Sequence, residues 1–61
     1  MNRIIDILMK RDGLSKEEAR QQLENTKEMM LDAISAGDFN EVEEIMYSEL
    51  GLEMDYIDDI L

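Results

Sequence analysis

Carboxylates dominate the side chains in this sequence that could do chemistry. The chain has sixteen Asp and Glu residues, no His and no Cys. Ser15, Ser35 and Ser48 therefore have no imidazole to take a proton, and the usual nucleophile–base pairs cannot form. Zinc chemistry through imidazole or thiolate is excluded on the same ground. Paired carboxylates can act as acid and base, but only in a sheltered pocket, and 61 residues bury a marginal core. The chain reads as a protein that is not an enzyme. Two groups of acids would attract a hard cation: Asp55 with Asp58 and Asp59, and Asp38 with Glu41. Asp38-Phe39-Asn40 opens like a calcium loop and fails at Val42, where a further oxygen ligand belongs. These acids read as helix caps and a solvated face, with no metal or cofactor expected.

Binding is the function class that remains, and charge is its main signal. The formal net charge is −10. All six basic residues lie in the first 27 positions, and from Glu28 onward there are eleven acidic residues and no basic one. Glu41, Glu44, Asp55, Asp58 and Asp59 are the residues of an acidic face suited to a basic partner surface. The plainer account of the same charge is solubility. Direct nucleic-acid binding needs cations to neutralise phosphates and is not expected of the acidic half. Six methionines offer either plain core or an adaptable binding surface. Met30 and Met46 fit the core, whereas Met29 and Met54 fit an interface.

The elements that must position these residues are helical. Ser15 to Gly37 is the longest stretch that reads as one amphipathic helix. Ser15 is a good N-cap, Glu18 completes a capping box, and Gly37 supplies the left-handed residue at the far end. Ala19, Leu23, Thr26, Met30, Ala33 and Ile34 share a face, with Met29 and Leu31 on its two flanks at ~100° per residue. So wide an apolar stripe predicts neighbours on more than one side. A first helix is expected over 2–11, with Ile4, Ile5, Leu8 and Met9 on its buried edge and Ile7 off it. Lys10 and Arg11 suit the negative end of its dipole. Asp12-Gly13 breaks it, and Leu14 makes an apolar link onward.

Asp38 with Glu41 predicts a second capping box and a third helix over 39–50. Phe39, Val42, Ile45, Met46 and Leu50 would share its buried face. Gly51 closes it, with Leu52 placed against Tyr47 in a Schellman arrangement. Asp55 caps a last short helix over 55–60, stable only when docked. The expected fold is all-α: a single domain, 1–61, of three to four helices (2–11, 15–36, 39–50, 55–60) around a central long helix. Strand-forming runs of β-branched and aromatic residues are absent.

A chain this short without disulfide or metal is held together by regular packing or by oligomerisation. A homodimer is expected, with Ile7, Met29, Leu31, Met54, Ile60 and Leu61 as its contact residues. No run approaches the ~20 apolar residues of a membrane-spanning helix, and the N-terminus lacks the basic region and apolar core of a secretory leader. A cytoplasmic protein with no membrane partner is expected.

Three stretches carry a resemblance: Leu8 to Ala19 (LMKRDGLSKEEA), Gly37-Asp38, and Leu50 to Ile57 (LGLEMDYI). Together they resemble small acidic all-helical accessory proteins of bacteriophages and prophages, which often carry Pro where this chain has Met54. The resemblance implies a protein that binds and inhibits a host protein, including components of antiviral defence that handle nucleic acid, in the host cytoplasm. Two other functions stay open. One is a transcriptional or antitoxin-like regulator, with Arg3, Lys10, Arg11, Lys16 and Arg20 as a basic face. The other is a virion assembly factor.

Overall fold

The structure is a computed structural model that describes residues 3–60. It is all-helical over those residues. Helix α1 is Arg3–Asp12, α2 is Lys16–Ser35 and α3 is Phe39–Ile45. Helix α3 runs on without a break into a π-helical turn, Met46–Leu50, and a 3-10 turn, Met54–Asp59, follows. Helix α2 packs against α1, α3 and the π turn, and the 3-10 turn packs back on α1. The molecule measures 33 × 19 × 18 Å, so its long axis is about the length of twenty helical residues at ~1.5 Å each. No helix among the described residues is long and apolar enough to cross a membrane.

The core follows the predicted faces, with Ile5, Met9 and Ile34 only half-buried against it and one outright exception. Ile4, Leu8, Ala19, Leu23, Met30, Ala33, Val42, Ile45, Met46 and Leu50 are buried together, joined by Leu52 and Ile60. Leu14 packs against them as the link between α1 and α2. Each large aliphatic side chain buried in this way contributes roughly 1.5–3 kcal/mol. Thr26 is buried among them, and its hydroxyl donates to the Gln22 carbonyl at 2.8 Å, so no polar atom is stranded there. The exception is Phe39, expected in the core and found 67% exposed. Its angle around α3 is right, but it is the first helical residue. The turn before it, Ala36-Gly37-Asp38, has no side chain large enough to cover it.

Ser15 closes the start of α2 as predicted. Its hydroxyl accepts from the Glu18 N–H at 3.1 Å, and its own N–H donates to Glu18 Oε1 at 2.9 Å. At the other end Gly37 has φ +75°. The Asp38 N–H donates to the Ala33 carbonyl and the Gly37 N–H to the Ile34 carbonyl, each at 2.9 Å, which is a complete Schellman closure. That closure changes the next element. Asp38 Oδ1 accepts from the Glu41 N–H at 3.1 Å, but the Asp38 N–H is already spent on Ala33. The second capping box therefore forms only by half.

The third helix departs from expectation at its end. The Gly51 N–H donates to the Tyr47 carbonyl at 2.9 Å and the Leu52 N–H to the Met46 carbonyl at 3.4 Å. This closure is one residue wider than the expected Schellman pattern. Leu52 turns into the core, while Tyr47 is 74% exposed. The last-turn carbonyls of a helix have no partner within it. Here other elements supply them: Arg11 Nη2 donates to the Leu50 carbonyl and Gln22 Nε2 to the Glu49 carbonyl, each at 2.7 Å. The final segment is a 3-10 turn that starts at Met54, not an α-helix capped by Asp55. Glu53 precedes it and makes no side-chain cap.

Candidate functional site

Helix α3, its π turn and the segment beyond Gly51 meet the flank of α2 along an open groove. Met29, Ile45, Leu52 and Met54 give it an apolar floor. Glu41, Glu43, Glu44, Glu53 and Asp55 rim it, with Asn40, Tyr47 and Ser48 between them. Among the described residues no basic one lines it. At ≈ 1140 Å³ and open along its length, it is larger and shallower than the pockets that enclose small ligands. Its scale and shape suit the surface of a macromolecule. Among the described residues no group of three carboxylates converges to hold a metal ion.

The residues picked out by sequence divide among several places. Of the acidic face, Glu41, Glu44 and Asp55 come together on the groove. Asp58 is exposed away from it, and Asp59 accepts a 2.6 Å hydrogen bond from Arg3 Nε. Of the expected contact residues, Met29 and Met54 lie on the groove floor. Ile7 is half-buried against the core, and Ile60, expected to add exposed apolar surface, is only 6% exposed within it. The reason is that the 3-10 turn folds back on α1, so Ile60 is covered by its own subunit. Leu61 lies outside the described residues. Leu31 is 44% exposed and Met29 43%. They are two positions apart, hence roughly 200° around α2, and face nearly opposite directions.

The basic residues are partly engaged within the chain. The Arg3 guanidinium pairs with Asp59 and lies 5.0 Å from the centre of the Tyr56 ring, a cation–π distance. Arg11 pairs with Asp12 through Nε at 2.9 Å and Nη2 at 3.0 Å, besides its bond to Leu50. Its guanidinium holds the Asp12 carboxyl below the usual range, chiefly through that hydrogen bond. Arg20 is 3.8 Å from Glu17 on its own helix.

Sequence reasoning missed Tyr47, Glu43 and Glu53 as groove residues. Tyr47 follows Glu43 and Glu44 by four and three positions, so the acidic face of α3 already pointed to it as the aromatic residue of that face. The floor was harder to find, because Met29 and Leu52 come together only through tertiary packing. Set beside known protein families, curated proteins and solved structures, the chain matches none of them.

Proposed function

We propose that this chain is a binding protein that docks a basic surface of a host protein in its acidic groove and inhibits it. The observation that supports this is the groove itself, whose described residues give an apolar floor within a rim of five carboxylates and no basic side chain. An apolar centre inside a charged rim is the ordinary anatomy of a protein interface. The rim charge would speed encounter with a cationic partner. A host enzyme that grips nucleic acid presents such a surface, and occupying it would block the enzyme. The host context and the inhibition come from the resemblance to phage accessory proteins. The protein would act in the host cytoplasm, as a homodimer joined through the Leu31 flank of α2, away from the groove. The regulator reading is weaker, because Arg3 and Arg11 of its basic face are already engaged with Asp59, Asp12 and the Leu50 carbonyl.

Affinity capture from host lysate tests the proposal, with wild type and the double variant Glu41→Lys/Glu44→Lys compared by mass spectrometry. The expected result is a partner held by wild type and lost by the variant, whose activity falls when the wild-type chain is added. Capture that ignores the groove variant would overturn it. So would retardation of DNA by the chain alone in a low-salt gel shift, which belongs to the regulator.

A further inference from the structure

Taking the groove as the protein-binding surface, as above, we infer that its occupant is a basic amphipathic α-helix of the partner protein. The lining of the wall formed by α3 and its π turn runs from Asn40 to Ser48, about 13 Å at ~1.5 Å per residue. That is the length of roughly two to three turns of a helix laid alongside. An extended segment would need a free strand edge to pair with, and among the described residues the groove is lined by helix, by turn and by the short link Leu52-Glu53, none of it a strand. The terminal carbonyls of the wall are already taken by Arg11 and Gln22. What the groove offers is side chains at helical spacing, which a helix reads through anchors at i, i+3, i+4 and i+7.

The chemistry of the occupant follows from the lining. Met29 and Met54 are unbranched and can adjust to the anchors of an incoming helix. The rim asks for Lys or Arg on both sides of that apolar stripe. Tyr47, 74% exposed, presents a ring face to a guanidinium. A second copy of this chain does not meet the specification. Its more basic part, residues 1–27, carries six basic residues against five acidic ones, and two of the six, Arg3 and Arg11, have partners already. The groove's charge is matched only by a more strongly basic helix from another protein.

Fluorescence anisotropy with a defined probe decides the matter. The probe is a labelled peptide of about 18 residues, five helical turns, with Leu at i, i+3, i+4, i+7 and Lys and Arg flanking. One control has the same composition with the Leu spacing scrambled. The other keeps the spacing but carries Glu in place of Lys and Arg. The probe is expected to bind at least about tenfold more tightly than either control and to gain helical circular dichroism on binding. Glu41→Lys/Glu44→Lys should weaken it by about tenfold, and Met29→Glu, at an exposed position with the fold checked by urea melting, by at least as much. Equal binding of the scrambled peptide would overturn the inference, since any polycation would then serve. A dimer that Met29→Glu dissociates and that excludes the probe would also overturn it, because the occupant would be a second copy. If the probe fails while groove-dependent capture from lysate persists, the helix is wrong and the protein-binding function stands; if both fail, both fall.

Discussion

Ser15 and Glu18 hold one another at the start of α2, and the acid is the more informative of the two. The Ser15 N–H, and after it the Ser15 hydroxyl, hold the Glu18 carboxyl below the usual range. A lowered folded-state value means the contribution is fully present above the ordinary glutamate value of about 4.3. It is lost as pH falls through the lower value of the folded chain. In an NMR titration Glu18 is expected to protonate below the ordinary glutamate value. Ser15→Ala should cost about 1 kcal/mol of stability through the lost cap. Most of the Glu18 depression should survive it, since the backbone N–H remains. Glu18 titrating at the ordinary glutamate value would mean the box does not form in solution. This pair was legible in the sequence because both partners lie within four residues. Its counterpart at Asp38 and Glu41 was legible only by half. The same four-residue pattern gives no sign that the Asp38 N–H has gone back to Ala33. Arg11 is the extreme case, since its bond to Leu50 crosses 39 positions and leaves no local pattern at all.

At the scale of elements, two glycines close two helices and differ in what surrounds them. Gly37 and Gly51 have φ of +75° and +65°, where a side chain is strained. A Cβ on Gly37 would meet nothing within 4 Å, whereas one on Gly51 would lie 3.2 Å from Arg11 Nη1. Gly37→Ala should therefore cost roughly 1–2 kcal/mol, the left-handed strain alone. Gly51→Ala should cost somewhat more, because the Arg11 guanidinium, which donates to the Leu50 carbonyl, must give by a few tenths of an ångström. In an Arg11→Ala background the excess should vanish, and a double-mutant cycle by urea melting measures that coupling. An unchanged cost would mean that Arg11 does not bear on this helix end. Leu23 and Ile45 are 7% and 5% exposed. Leu23→Ala and Ile45→Ala should each destabilise by roughly 2–5 kcal/mol, and a parent-like melt in either would break the assignment of the core. Periodicity located these faces and the helices that carry them. It failed at Phe39, where the angle was right but nothing stands opposite. It failed again at Met46–Leu50 and Met54–Asp59, where a π turn and a 3-10 turn replace regular α-helix. Those departures depend on which side chains reach the helix end from elsewhere.

For the whole molecule, charge and surface area decide. Among the described residues the ion pairs are Arg3–Asp59, Arg11–Asp12 and Arg20–Glu17, few against sixteen acids. Self-repulsion should outweigh attraction, so 0.3 M salt, by screening it, is expected to raise the melting temperature; a fall would mean that these pairs dominate. Oligomeric state is the finer question. The chain exposes 4166 Å², close to the roughly 4,100 Å² of a folded monomer of its mass. That total does not by itself call for pairing, and Ile60 is covered within one subunit. Of the expected contact residues that are described and lie outside the groove, Leu31 on α2 is the exposed one. Met29, roughly 200° away, cannot share a single two-fold contact with it, because an isologous interface uses one patch on each copy. Sedimentation equilibrium at micromolar concentration should give a mass that rises with concentration from ~7 towards ~14 kDa, the span from one chain to a two-fold pair. Leu31→Glu should hold it at the monomer value and lower the melting temperature by the stability that association adds, while Met29→Glu should leave the association intact. A concentration-independent monomer would remove the dimer, and the reverse pattern of the two variants would move it into the groove.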